Sequence, residues 1–187
     1  MTEKPALLVI DIQKDNLSSR SPYPFDPTVV DNMIETVNRI TSTCAAAQIP
    51  VIFIRQIFDG FPGTLFSKLL LKGITLKGSP GAELDDRLNA AGSLQIDKSR
   101  QNGFIGTNLE SELEKLTVDT LYMCGLDGAY CVSATAKGGL LSGRNVIYID
   151  DAIITNKPKR WEKLRAETIS QGAALCSSED FMRQHGP

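Results

Sequence analysis

Six short runs of apolar, largely β-branched residues alternate with longer stretches of helical period, and no other feature of the chain constrains its fold as much. The runs are Ala6 to Ile10 (ALLVI), Pro50 to Ile57 (PVIFIRQI), Ser93 to Ile96 (SLQI), Thr120 to Gly125 (TLYMCG), Asn145 to Asp150 (NVIYID) and the weaker Ala173 to Cys176 (AALC). Most are nearly unbroken by polar residues, as strands buried on both faces must be. Between them, Thr28 to Ala47 sets Val30, Ile34, Val37 and Cys44 on one helical stripe. The segment GTNLESELEKL, Gly106 to Leu116, offers Thr107 or Asn108 as an N-cap, with Glu110 and Glu112 near the positive end of the helix dipole. A third helix begins near Cys131 and ends by Gly143. A fourth opens at Pro158 and runs to Gln171. This order predicts an α/β fold, a mostly parallel sheet with helices on both faces and right-handed crossovers. Asp59 to Gly92, rich in Gly and Pro, reads as a long, partly irregular excursion of the functional kind.

The chain has 187 residues, enough for one domain over 1–187 and too few for two ordinary ones. Its formal charge of −2, with Lys and Arg scattered, leaves no basic stripe for a nucleic-acid backbone. ALLVI is too short to span a bilayer, and it follows Met1-Thr2-Glu3-Lys4 without a signal-peptide layout. The expectation is a cytoplasmic protein with neither membrane nor nucleic-acid partner. Cys44, Cys124, Cys131 and Cys176 form no CxxC pair and are expected as free thiols. The single histidine, His185, lies two residues from the C-terminus and is expected as a solvated tail residue. The commonest general base is therefore missing from the reading.

In an open parallel sheet, ligands bind beyond the carboxyl ends of the strands, where strand order reverses. Asp11 follows the first run, Asp97 and Lys98 the third, and Gly125 to Cys131 the fourth. With strand order 3-2-1-4-5-6, Asp11 and Cys131 face each other across the reversal, and Lys98 lies further along the rim. A nucleophilic cysteine needs its proton removed or its thiolate stabilised. Cys131 at a helix N-terminus gains from the dipole, Lys98 adds positive charge, and Asp11 is the base that remains. The glycine-containing turn before Cys131 can aim backbone N–H groups at one point. Each residue has a plainer reading as well: a small buried hydrophobe, a turn cap and a solvated charge.

Four blocks, VIDIQKDN (Val9 to Asn16), KGSPGAEL (Lys77 to Leu84), KSRQNGFIGTNLESEL (Lys98 to Leu113) and CGLDGAYCVSATAKGGLLSGRNVIYIDDAI (Cys124 to Ile153), together resemble the isochorismatase-like cysteine hydrolases. The resemblance implies a three-layer αβα fold with a six-stranded parallel sheet. It also implies hydrolysis of a small amide, ureido or carbamoyl compound, and a homo-oligomer. By position it implies Asp11 as base, Lys98 as positive partner and Cys131 as nucleophile. A cis peptide between Leu126 and Asp127 goes with it, the N–H groups of Asp127 and Cys131 forming an oxyanion hole and Gln13 supporting Asp11. The pocket wall is expected from Ile57 to Leu76 and from a neighbouring subunit.

Two departures from the family pattern matter. The nicotinamidase branch carries a zinc-type site of an aspartate and histidines soon after the second strand. Here that stretch reads RQIFDGFPGTLFSK, without histidine, so no metal and no cofactor is expected. Asp127 and Gly128 stand where Ala and Thr are more usual, and an inward Asp127 carboxylate would disfavour negative charge in the oxyanion hole. Three rival readings stay open at this point. One is a vinyl-ether hydrolase with Asp11 as general acid. Another is a non-catalytic small-molecule-binding protein, and the third a redox-sensing thiol.

Overall fold

A computed structural model describes residues 3–186. The sheet has six strands in the order β3-β2-β1-β4-β5-β6. These are β1 (Pro5–Ile10), β2 (Val51–Gln56), β3 (Leu94–Lys98), β4 (Thr120–Gly125), β5 (Asn145–Ile153) and β6 (Ala174–Cys176). All five pairings are parallel. Among the described residues seven α-helices accompany them: α1 (Lys14–Leu17), α2 (Pro27–Ala46), α3 (Gly60–Leu70), α4 (Leu109–Lys115), α5 (Ser133–Leu141), α6 (Pro158–Ser170) and α7 (Ser178–His185).

The three layers follow from the two-residue period of a strand. Ala6, Leu8 and Ile10 of β1 face a core shared with Leu109, Leu113, Val132, Ala136 and Trp161, which covers one side of the sheet. Leu7 and Val9 face the opposite core, with Val30, Met33, Val37 and Ile40 of α2 and Phe181 of α7. Each of these large side chains contributes ~1.5–3 kcal/mol on burial, so neither parity of β1 has room for a polar residue. The fold is the three-layer α/β/α arrangement that the pattern predicts.

Register sets the place of the site. Ile10 of β1 pairs with Gly125 of β4, so Asp11 and Leu126 leave the sheet side by side. Gln56 pairs with Lys98 at the ends of β2 and β3. Gly125 has φ +107, and a Cβ there would meet the Ile10 carbonyl oxygen at 2.2 Å. Only glycine closes β4 this tightly against β1.

Four local expectations are corrected. β3 ends two residues beyond the apolar run, so Lys98 ends the strand instead of following it. β5 continues to Ile153, past the expected end at Asp150. The excursion after β2 holds a helix, α3, N-capped by Asp59, and a 3-10 turn at Pro80–Ala82. Phe61, Leu65, Leu69 and Leu70 of α3 are exposed and only Ser67 is buried, so no core-facing stripe marked it in the sequence. His185 is no solvated tail residue. The capping box of Ser177 and Asp180 starts α7, buried Phe181 anchors it, and His185 lies edge-on to Tyr122 with ring centroids 5.3 Å apart. Among the described residues no helix is long and apolar enough to cross a membrane.

Candidate active site

Side chains from the residue after β1, the last residue of β3 and the turn that follows β4 converge at the carboxyl edge of the sheet. The Lys98 ammonium, 1% exposed, donates to Asp11 Oδ2 at 2.8 Å, to Gln56 Oε1 at 3.0 Å and to Cys131 Sγ at 3.2 Å. Its three N–H donors are thereby all committed. The expected trio is brought together, Lys98 lying between Asp11 and Cys131 and not further along the rim.

Asp11 sits at φ +56, a left-handed conformation that a non-glycine residue adopts at some cost. Its N–H donates to the Ile54 carbonyl at 2.8 Å, and its own carbonyl accepts from Gln13 N–H and Asn16 Nδ2. These bonds hold the turn that aims the carboxylate at Lys98. The second carboxylate oxygen, Oδ1, is buried without a hydrogen-bond partner.

Cys131 lies in a π-type turn, Gly128–Val132, that leads into α5. The turn packs closely: a Cβ on Gly128 would come within 2.9 Å of the Trp161 ring. The Leu126–Asp127 peptide bond is cis, as the resemblance implies. Leu126 N–H donates to the Ile10 carbonyl, tying the turn to β1, and the Asp127 carbonyl accepts from both Tyr130 and Val132. The Asp127 carboxylate accepts from Ala129 N–H, the Thr155 hydroxyl and Asn156 N–H, so its charge is engaged by three donors and not left bare beside the turn.

The influences on the Cys131 thiol pull in opposite directions. Burial pushes the Cys131 thiol well above its ordinary pKa, the charge of Asp11 adds to this, and Lys98 offsets only part. Burial opposes the charge on Lys98, but Asp11 and Cys131 together outweigh it and raise its pKa. An ammonium and a carboxylate placed against a thiol can carry out nucleophilic acyl chemistry without histidine.

Two glutamines frame the trio. Gln13, fully buried, accepts from Gln56 N–H at 2.8 Å and donates to the carbonyls of Gln56 (3.0 Å) and Ala82 (2.6 Å). It braces the ends of β1 and β2 against the 3-10 turn. Gln56 was missed by sequence reasoning, although it ends β2 at the same carboxyl edge as the other site residues. Lys98 has only donors, so Gln56 turns its Oε1 to the ammonium, and its Nε2 remains buried without a partner.

Asp11 and Cys131 lie in a cavity of about 760 Å³ walled by Phe58, Phe66 and Ile74 from the stretch expected to form it. Tyr23, Phe25 and Ile105 complete the apolar wall from segments not singled out in the sequence.

This fold and this trio define the class of isochorismatase-like hydrolases. The isochorismatase-domain family model matches residues 5–180, and the chain belongs to that family. It is 30% identical over 148 residues to the N-carbamoylsarcosine amidase of Arthrobacter sp, covering 75% of this chain and 55% of that protein, so it spans about half that relative's length. It is 27% identical over 207 residues to the ureidoacrylate amidohydrolase RutB of Yersinia enterocolitica, covering 96% of this chain and 84% of that one. The pyrazinamidase of Pyrococcus horikoshii in complex with zinc superposes with a TM-score of 0.81 at 25% identity, covering 93% of this chain and 99% of that one. The residues present here do not fit such a metal. The stretch after β2 lacks histidine, His185 packs on Tyr122, and no group of three His, Cys, Asp or Glu among the described residues could hold an ion.

Proposed function

We propose that this chain hydrolyses a small-molecule amide, ureido or carbamoyl C–N bond through a thioester-type intermediate on Cys131. The observation that carries the reading is the Lys98 ammonium in contact with both Asp11 Oδ2 and Cys131 Sγ at the base of a cavity. The likeness to an N-carbamoylsarcosine amidase and to a ureidoacrylate amidohydrolase supports the bond type.

The cycle follows from the donors and acceptors in place. Sulfur accepts from Lys98, so its own proton is directed to Asp11, whose Oδ1 has no other partner. Asp11 takes that proton as sulfur bonds to the substrate carbonyl carbon, and the carbonyl π pair moves onto oxygen. The N–H groups of Asp127 and Cys131 are the proposed donors to this oxyanion. In support, Asp127 N–H has no hydrogen-bond partner among the described residues. Such a donor is worth ~3 kcal/mol in the transition state. The oxyanion collapses, the C–N bond breaks, and Asp11 returns its proton to the departing nitrogen. Water then attacks the acyl carbon, loses a proton to Asp11, and expels sulfur, which regains its proton.

A homo-oligomer belongs to the same proposal, because among the described residues nothing covers Phe61, Leu65, Leu69 and Leu70 of α3. Light scattering checks it, and a monomer at high concentration would count against it.

The enzymatic test is a screen of small amides, ureas and carbamoyl compounds, then intact mass spectrometry after acid quench of the best substrate. The expected result is an acyl adduct on Cys131, absent in Cys131→Ala, with turnover lost in both Cys131→Ala and Asp11→Asn. Turnover of that substrate retained by Cys131→Ala without any adduct would overturn the thioester route and leave Asp11 acting on the substrate without the sulfur. Neither turnover nor adduct across the screen would point to a binding protein.

A further inference from the structure

We infer that the substrate carries an anionic group, a carboxylate in the first instance, and that Arg100 binds it. The inference rests on the hydrolytic reading above and names the kind of molecule it acts on.

The charges around the cavity divide into those already spent and those left over. Asp11 is paired with Lys98, and the Asp127 carboxylate is held by Ala129, Thr155 and Asn156. The two remaining charged residues lining the cavity are Arg100 and Lys157. Neither side chain forms a salt bridge or hydrogen bond among the described residues, although most arginines of the chain do, Arg55, Arg87, Arg144, Arg165 and Arg183 all being paired with carboxylates. Asp97, the acid nearest to Arg100 in sequence, is taken by Arg55. All uncommitted formal charge at the mouth of the cavity is therefore positive. A cleft with apolar walls focuses such a field toward an anion.

The position of Arg100 favours it over Lys157. It follows Lys98 by two residues at the end of β3, on the same side of the nucleophile as Gln56, whose buried Nε2 is a second unused donor. Lys157 follows β5, on the other side of β4 and Cys131. A substrate lying from Cys131 toward β2 and β3 meets donors all the way: the Gln56 amide first, then the guanidinium at the rim. The planar fork of arginine matches the two oxygens of a carboxylate, which an ammonium cannot do. Tyr23, Phe58 and Ile105 leave room for an apolar body between the two ends. The substrate class is thus a carboxylate-bearing amide or urea with an apolar side.

The test needs no knowledge of the true substrate. The probes are N-bromoacetyl derivatives of glycine, β-alanine and γ-aminobutyric acid, each paired with its uncharged primary amide. The quantity read is the ratio of alkylation rates at Cys131, acid over amide, with the site verified by peptide mapping. Any effect of a substitution on the thiol itself cancels in that ratio. At least one acid should outpace its amide about tenfold, and Arg100→Met should bring that ratio close to the value for free cysteine, while Arg100→Lys keeps part of it. The inference is overturned if no acid is preferred, or if the preference survives Arg100→Met and disappears in Lys157→Met. In either case alkylation at Cys131 leaves the hydrolytic reading standing. Failure of all six probes to react at Cys131 overturns that reading, and this inference with it.

Discussion

Lys98 and Asp11 form an ion pair 2.8 Å long whose side chains are 0% and 5% accessible to solvent. Charges so far from water are tolerated only together, because removing one leaves the other buried and uncompensated. Lys98→Met should lower unfolding stability by ~3–5 kcal/mol, read from urea denaturation. The double variant Asp11→Leu/Lys98→Met should recover most of that loss while remaining inactive. A single variant as stable as the native protein would mean that the pair is not ionised.

Gln13 is expected to matter for both stability and rate, although it touches none of the trio through its side chain. Gln13→Leu leaves Gln56 N–H, Gln56 C=O and Ala82 C=O without their present partner. A loss of ~2–4 kcal/mol follows from two or three buried polar groups left unpaired. Release of Gln56 also frees one of the three acceptors of Lys98, so kcat should fall more than KM rises. Unchanged stability and kinetics would remove Gln13 from the site.

Stability should decline as pH rises above about 9. Burial pushes the Cys44 thiol up to about 12 and the Tyr148 phenol to about 12, and it raises Cys124 and Tyr122 as well. A group whose folded pKa lies above its unfolded value contributes stability that is complete below the unfolded pKa. That contribution is lost as pH climbs toward the folded pKa, because only the unfolded chain releases the proton. The raised pKa of Lys98 acts in the same direction. The urea midpoint should be flat from pH 7 to 8.5 and fall steadily by pH 10.5. A midpoint that holds or rises over that interval contradicts the assignment of these groups as buried.

Much of this site could be read from the chain because strand ends are easy to find. Ile10, Gly125 and Lys98 end or adjoin apolar runs, and the switch-point rule then brings Asp11, Cys131 and Lys98 to one edge. Gln56 obeys the same rule but carries no charge and no nucleophile, so nothing in its chemistry drew attention to it. Its importance lies in an amide orientation forced by Lys98, which only coordinates reveal. α3 escaped for another reason. Gly60, Pro62 and Gly63 read as loop, and its apolar residues point outward instead of marking a buried stripe. At Cys131 a helix dipole and a lysine are visible in sequence order, whereas burial, the largest influence on its pKa, is not.

The last prediction sets reactivity against turnover. Asp11 raises the Cys131 pKa by its charge, and Lys98 lowers it. Asp11→Asn removes the negative charge, keeps the shape, and should bring the thiol pKa down. At pH 7.5 the variant should therefore react with iodoacetamide faster than the native protein, because a tenfold larger thiolate fraction accompanies roughly each 1.36 kcal/mol by which the thiolate is favoured. Turnover should nevertheless vanish, because no group remains to receive the thiol proton and pass it to the leaving nitrogen. Lys98→Met should behave in the opposite sense and be alkylated more slowly. The diagnostic measurement is the pH profile of alkylation, mapped to Cys131, for the three proteins side by side. If Asp11→Asn instead slows alkylation, the proton already rests on Asp11 before substrate arrives, and the resting site is a thiolate held by Lys98.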